Sequence, residues 1–311
     1  MSSGTPFPVN PVLTGIAIAY KNNALIADMV LPRLEPRFNV STFKWWKFDF
    51  GQFITLPDTQ VGRKSAPNEV EFNATEIQDK TLDYGLDDLV PVDDIKNAPS
   101  GYDPLAFSTQ KLMDMVLLDR EIRTASLVFN AANYAATNKA APSGTDKWSD
   151  PASKPIIQVT QAMDSMIIRP NKMVIGRVEW TTLRTNPSVL RATSAYAAAD
   201  GMASKQAVAD LLELDDIIIG EGFINTAKKG QATAMQRAWK SNALLFHSAP
   251  LASSVDASPT FGWTAQFGDR VAGSIAEPKI GLRGSERVRA GESVKEIVSA
   301  WELGYLFQGV V

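Results

Sequence analysis

The chain has 311 residues, of which 45% are hydrophobic, and its 31 Lys and Arg against 34 Asp and Glu leave a net charge of −3. Those proportions belong to a globular chain, with length for about two domains. There is no cysteine and a single histidine, His247. That excludes a disulfide framework, a Cys/His zinc site within one chain and a cysteine nucleophile, and it confines histidine acid–base chemistry to one residue. The near-neutral balance argues against a sequence-reading DNA binder. No apolar run is long enough for a membrane-spanning helix, and no secretory pattern opens the chain, so a cytoplasmic setting is expected.

Residues 1–40 are cut by Pro6, Pro8, Pro11, Pro32 and Pro36, which long regular structure cannot cross. Between them Leu13, Ile16, Ala17, Tyr20, Ala24, Leu25 and Ile26 recur at helical spacings. One or two short helices with an apolar face are expected, docked on their own domain or lying as an arm on a neighbouring subunit, with Ile16 and Tyr20 as candidate contacts. Residues 41–50 change to period two: Trp46, Phe48 and Phe50 alternate with Trp45, as in a strand. A polar stretch containing Arg63 and Lys64 reads as a loop tip, and extended character then resumes to residue 84. Residues 41–85 therefore form a two-stranded excursion. An isolated hairpin is marginal in water. Trp45, Trp46, Phe48, Phe50, Arg63 and Lys64 are accordingly expected to meet partner subunits.

The spacing predicts a long helix over 104–134, with Leu105, Leu112, Met115, Leu118, Ile122, Ala125, Phe129 and Ala132 on one face. Asp103 is placed to cap it and Pro104 to open it, and its length would be roughly 45 Å. After a loop over 138–155 the pattern becomes α/β. Helices are expected at 154–166, 178–185 (closed by Asn186-Pro187) and 205–212 (capped by Ser204), with buried strands at 172–176, 216–220 and 242–247. Residues 285–306 alternate with a change of parity that predicts a break near Gly291.

Little here suggests catalysis. His247 lies in an apolar strand and reads as structural. Asp87-Asp88, Asp93-Asp94 and Asp215-Asp216 are adjacent pairs, whose side chains diverge in extended chain and read as solvated. Gly220-Glu221-Gly222 follows a strand, but Asn225 stands where a dinucleotide fingerprint needs glycine. No catalytic, cofactor or metal residues are assigned, and the protein is not expected to be an enzyme. The aromatic residues of a chain without a site point to packing area between proteins.

In order along the chain, several segments resemble the major capsid proteins of tailed bacteriophages, of the Hong Kong 97 fold. They are Ile26-Ala27-Asp28-Met29-Val30-Leu31-Pro32 before the excursion, the tip over 63–68, Tyr84-Gly85-Leu86-Asp87-Asp88 at the return, and 117–130 with Glu121. The central run 171–183, Gly220-Glu221-Gly222, Trp239-Lys240-Ser241-Asn242-Ala243-Leu244-Leu245-Phe246 and Pro259-Thr260-Phe261-Gly262 continue the match.

The resemblance implies an α+β fold. It would comprise an N-terminal arm (1–40), an E-loop (41–85), a peripheral domain (86–152 and 285–311) carrying a spine helix at 104–134, and an axial domain (153–284). It also implies hexamers and pentamers that close into the icosahedral head around double-stranded DNA, assembled in the bacterial host cytoplasm and retained in the virion. The implied partners are other copies, a separate scaffolding protein, a portal, a possible cement protein and DNA held by weak non-specific contact, with no membrane. Some members cross-link Lys to Asn between subunits; Lys64 lies near the tip, but no cross-link is expected of it. Two other readings stay open: an encapsulin-like nanocompartment shell, and a carboxylate-dependent enzyme using Asp215 and Glu221.

Overall fold

The computed structural model describes residues 7–48, 51, 54–69, 74–193, 201–228, 230–249 and 259–311. Phe50 and the side chain of Phe48 lie outside the described residues. The chain opens with helix α1 (Pro11–Ala19), where Asn10 Oδ1 accepts the Val12 and Leu13 amides and Pro11 takes the first helical position. A single turn, α2 (Ala27–Val30), follows. Strand β1 (Thr42–Phe48) then pairs antiparallel with β2 (Ala74–Lys80), Trp45 lying opposite Ile77 and Trp46 opposite Glu76. This is the two-stranded excursion expected from the period-two pattern. Strand β3 (Leu82–Pro91) returns into a different sheet and leads through α3 (Val92–Lys96) to the long helix α4 (Pro104–Val128).

Asp103 Oδ1 accepts the Leu105 and Ala106 amides at 2.9 and 3.3 Å, so α4 starts as the sequence predicts. It ends earlier than residue 134, after 25 residues, or about 37 Å. Asn130 Oδ1 accepts the Ala132 amide and redirects the chain into a 3₁₀ turn at Ala131–Asn133. The buried face also differs from the expected one. It carries Ser108, Thr109, Arg120, Glu121 and Thr124 beside Leu112, Met113, Val116, Leu117, Ala125 and Val128, while Met115 is exposed. Polar residues can occupy that face because the arm and the sheet supply partners for them.

Beyond α4 come β4 (Lys139–Ala140), α5 (Pro155–Ser165), β5 (Lys172–Gly176), α6 (Arg177–Thr185), α7 (Pro187–Thr193), α8 (Lys205–Leu211) and β6 (Asp216–Gly220). A small hairpin, β7 (Phe223–Asn225) and β8 (Met235–Arg237), precedes β9 (Ala243–Phe246). The chain closes with β10 (Gly262–Glu277), β11 (Ser285–Val298) and β12 (Gly304–Phe307). Ser204 caps α8 by accepting the Ala207 amide, as expected.

A five-stranded mixed sheet has the order β4-β12-β9-β5-β6. Met173 and Ile175 of β5 enter a core with Trp148, Met163, Trp180 and Val208 on the side of the short helices. Val174 faces the opposite core, with Val30, Leu31, Val128 and Trp239. Burial on both faces explains why these strands read as continuous apolar runs.

The second sheet has the order β10-β11-β3. Its Ala272, Val288 and Ala290 pack against Leu13 and Ala17 of α1 and Leu112 and Met113 of α4. The break expected near Gly291 is present as a register shift on the partner strand, between Phe267 and Val271, opposite residues 291–293. Sheet membership departs from the division expected at residue 284. That position lies in the β10–β11 hairpin connection, so 262–277 share a sheet with 285–298, whereas 304–307 belong to the five-stranded sheet. Buried polar residues in β10, among them Thr264 and Gln266, hid the strand from a hydrophobic pattern.

Candidate inter-subunit surfaces

The β1–β2 hairpin presents two unlike faces. On one, Phe43 and Trp45 pack on Trp263 of β10, with ring centroids at 5.9 and 6.4 Å, and Phe38 of the arm stacks on Phe43 at 4.8 Å. On the other, Trp46 stands 55% exposed, and Lys44 beside it pairs with Glu76. Period two places the two tryptophans on opposite faces, but only the fold decides that Trp45 is half-buried on its own subunit and Trp46 is open. The hairpin base is fixed by the Thr81 amide donating to Ser41 O at 2.9 Å and by the Ser293 hydroxyl donating to Thr81 Oγ1 at 3.0 Å.

The tip over 54–69 is solvent-exposed throughout. Ile54 and Val61 are open, and Leu56 is 85% exposed. Arg63 and Lys64 are exposed there without an ion-pair partner among the described residues. The tip's internal order comes from its own turns: Ser65 N donates to Gly62 O, and Asn68 Nδ2 donates to Asp58 O at 2.8 Å. Apolar side chains held in water on a projecting hairpin are surface that a partner can cover.

The arm is joined to its own subunit over residues 10–38. Leu13 and Ala17 are buried; Ile16 and Tyr20 are half-buried against the same cluster, leaving Val12 and Ile18 facing outward. Residues 32–38 run beside β10: Thr264 N donates to Pro32 O, Leu34 N to Thr264 O and Phe38 N to Gln266 O, all within 2.8–2.9 Å.

A charged clasp lies beneath this strap. Arg120 is buried on α4, reaches Asp28, and donates to Leu31 O at 3.2 Å and Thr264 Oγ1 at 3.0 Å. Arg33 pairs with Asp28 and Glu292, both at 2.9 Å. Arg270 pairs with Glu292 at 3.1 Å and donates to Ala17 O and Tyr20 O at the end of α1. Burial pushes the Asp28 and Glu292 carboxyls upward, but the surrounding arginines outweigh it and hold both below the usual carboxylate range.

Next to the clasp, the fully buried Glu121 accepts the Ile26 amide at 2.9 and 3.0 Å, the Ala27 amide at 2.7 Å, and Trp239 Nε1. One carboxylate thus ties the arm, α4 and the segment before β9 together. Burial raises its pKa despite those donors. A helix face read for apolar period alone conceals Arg120 and Glu121; two ionisable residues side by side in that face were the available signal.

The acidic pairs are spread over different partners. Asp87 meets Arg289 and Arg287, Asp88 accepts Ser108 Oγ, Asp93 meets Arg283, Asp215 accepts Asn171 Nδ2, and Asp216 meets Lys205. Glu221 pairs with Arg177. No group of three potential metal ligands occurs among the described residues. His247 Nδ1 donates to Arg169 O at 3.2 Å. Gly220 serves packing: a Cβ there would come within 2.3 Å of the Trp239 ring. No described helix is long and apolar enough to cross a membrane.

No protein-family profile matches the chain. It is 50% identical over 309 residues to the major capsid protein of Pseudomonas phage JBD67, covering 99% of each chain. The fold is similar to that of a phage-related protein from Bordetella bronchiseptica RB50, with a TM-score of 0.73 at 20% identity over 98% of this chain and 99% of that one. It is also similar to the capsid subunit of the native GTA particle, with a TM-score of 0.59 at 10% identity over 99% and 94% of the two chains. The full-length identity to a phage capsid protein sets aside the nanocompartment and enzyme readings. A hairpin and arm that present apolar side chains outward, on an α+β body shared with solved capsid subunits and a sequence half identical to a phage coat, mean that the chain belongs to the major capsid proteins of tailed phages, structural proteins of Hong Kong 97-type fold that form the icosahedral virion head.

Proposed function

We propose that copies of this chain assemble through hexamers and pentamers, with the β1–β2 hairpin as the E-loop that overlaps a neighbouring copy. In this reading the three-stranded sheet and α4 form the peripheral domain and the five-stranded sheet with its short helices forms the axial domain. The outward face of α1, with Val12 and Ile18, adds a smaller contact. The observation that carries the reading is the exposure of Trp46, Ile54 and Leu56 on one projecting hairpin. Each such side chain contributes about 1.5–3 kcal/mol when fully buried. Such contacts suffice when repeated around a closed symmetric shell.

The head encloses double-stranded DNA, and a chain of net charge −3 has little capacity to clamp phosphates, so packaged DNA meets the wall weakly and without sequence preference. Assembly in the bacterial cytoplasm uses a separate scaffolding protein and a portal, with a cement protein as a further partner. A variant with residues 54–69 replaced by a short Gly-Ser turn, which removes the exposed Ile54 and Leu56, tests the E-loop role. It should keep the circular dichroism of the folded subunit and lose light-scattering assembly; assembly at the wild-type concentration would refute that role.

A further inference from the structure

A cavity of about 620 Å³ opens between the arm, α4 and β10. Lys21, Arg33 and Arg37 of the arm line it, with Arg120 of α4 and Arg270 of β10. Among the described residues, Asp28 is the one carboxylate in its wall. The other acids near these cations are not part of that wall. Glu292 is buried and shared by Arg33 and Arg270. Glu296 comes within 3.6 Å of Arg120 but is held closer by Arg123, at 3.0 Å. Arg37 meets Glu35 and Asp269, both mostly exposed. Lys21 is exposed and has no ion-pair partner among the described residues. Arg270 uses Nε on Glu292 and Nη1 on the Ala17 and Tyr20 carbonyls. Its Nη2 makes no hydrogen bond among the described residues, although the side chain is only 11% exposed. Burial holds the Arg270 guanidinium below its ordinary value, and the charge of Arg33 adds to this against the pull of Glu292.

We infer that this cavity binds a small phosphate-bearing ligand, either inorganic phosphate or a mononucleotide. Guanidinium forks match the paired oxygens of a phosphate, and a dianion can answer several cations at once. An unused donor on a nearly buried arginine gains from an acceptor that water supplies poorly there. Leu25, Met29 and Leu117 give the same wall an apolar part, suited to the body of a small molecule beside its phosphate. The volume lies in the range of such sites, about 300–1,000 Å³. The cations converge on one cavity instead of running along a surface as a nucleic-acid backbone requires, so the site is compatible with weakly held DNA. A phosphate seated between Lys21 and Arg270 would tie the arm to β10, and binding would stabilise the subunit with its arm docked.

Calorimetric titration of the full-length unassembled subunit with inorganic phosphate, at an ionic strength held constant with sodium chloride, tests this. Binding should saturate at one phosphate per subunit, and Tm should rise with phosphate concentration. Lys21→Glu alters an exposed side chain outside the charged clasp. It should weaken phosphate binding several-fold and leave the Tm without phosphate unchanged. Arg270→Lys, which keeps the charge but not the fork, should weaken binding as well. Adenosine monophosphate binding more tightly than phosphate would assign the site to a nucleotide, and the reverse order to free phosphate; both results support it. A short single-stranded oligonucleotide that binds more tightly than either, and loses that affinity in Lys21→Glu, would assign the cavity to the DNA backbone and overturn the small ligand. Absence of saturable binding, or an affinity unchanged in both variants, overturns the site.

Discussion

Glu121 on α4 and Trp239 before β9 are hydrogen-bonded across the seam between the two sheets, and the same carboxylate accepts the Ile26 and Ala27 amides of the arm. Three segments distant in sequence thus share one buried acceptor. Trp239 is in turn seated over Gly220 and meets Phe129 edge-on at 5.2 Å. The seam is therefore held by polar groups with specific geometry as well as by apolar packing.

Glu121→Ala leaves three donors buried without an acceptor. Each unsatisfied group costs on the order of 1–3 kcal/mol, offset in part by removal of a buried charge, for a net loss of about 3 kcal/mol. Thermal unfolding of the unassembled subunit should show a drop in Tm of several degrees; an unchanged Tm would contradict the role of the junction.

Gly220→Ala tests the same seam from the other side. The added methyl must displace the Trp239 ring, and overpacking of this kind costs about 1–3 kcal/mol. Because Trp239 then leaves Glu121, the double variant with Glu121→Ala should lose less than the sum of the two single losses. Strict additivity in urea unfolding would show the sites to be independent.

Acid should loosen the arm. Asp28 and Glu292 ionise more readily in the folded chain, so they add stability above their unfolded values of about 3.9 and 4.3, and that stability is lost as pH falls through the lower folded values. Glu292 carries the larger share because its side chain is fully buried, whereas Asp28 is half-exposed and screened by solvent. Glu121 acts in the opposite sense: burial raises its pKa, so its ionised form costs stability and acid relieves that cost. Urea midpoints measured from pH 2 to 7 should fall in the acid limb. Glu292→Gln should flatten that fall and Glu121→Gln should steepen it; the reverse pattern would contradict the assignments.

Trp45 and Trp46 should separate folding from assembly. Trp45→Ala removes a contact with Trp263 inside the subunit and should cost about 2 kcal/mol of subunit stability, less than for a fully buried tryptophan. Trp46→Ala removes an exposed side chain, should leave the subunit's stability within about 0.5 kcal/mol, and should weaken assembly. Loss of subunit stability in Trp46→Ala with normal assembly would reverse the two roles.

The sequence was most legible where local chemistry and burial agree. Strands 172–176 and 216–220 are buried on both faces, and Asp103-Pro104, Ser204 and Asn186-Pro187 mark helix ends by their own hydrogen-bonding and φ preferences. It was least legible where a buried position is polar because a distant segment satisfies it. Arg120 and Glu121 rotate the apparent face of α4, and Thr264 and Gln266 disguise β10, since their partners are in the arm. Trp45 and Trp46 follow the same logic: alternation separates them, but Trp263, far along the chain, decides which one turns inward.

The central claim is that the function of this chain is contact between its own copies. Electron microscopy of the purified wild-type protein across a concentration series tests it most directly. Closed icosahedral shells, or rings of six and five subunits, are the expected result. A folded monomer that remains single at every concentration, with scaffolding protein supplied, would contradict it.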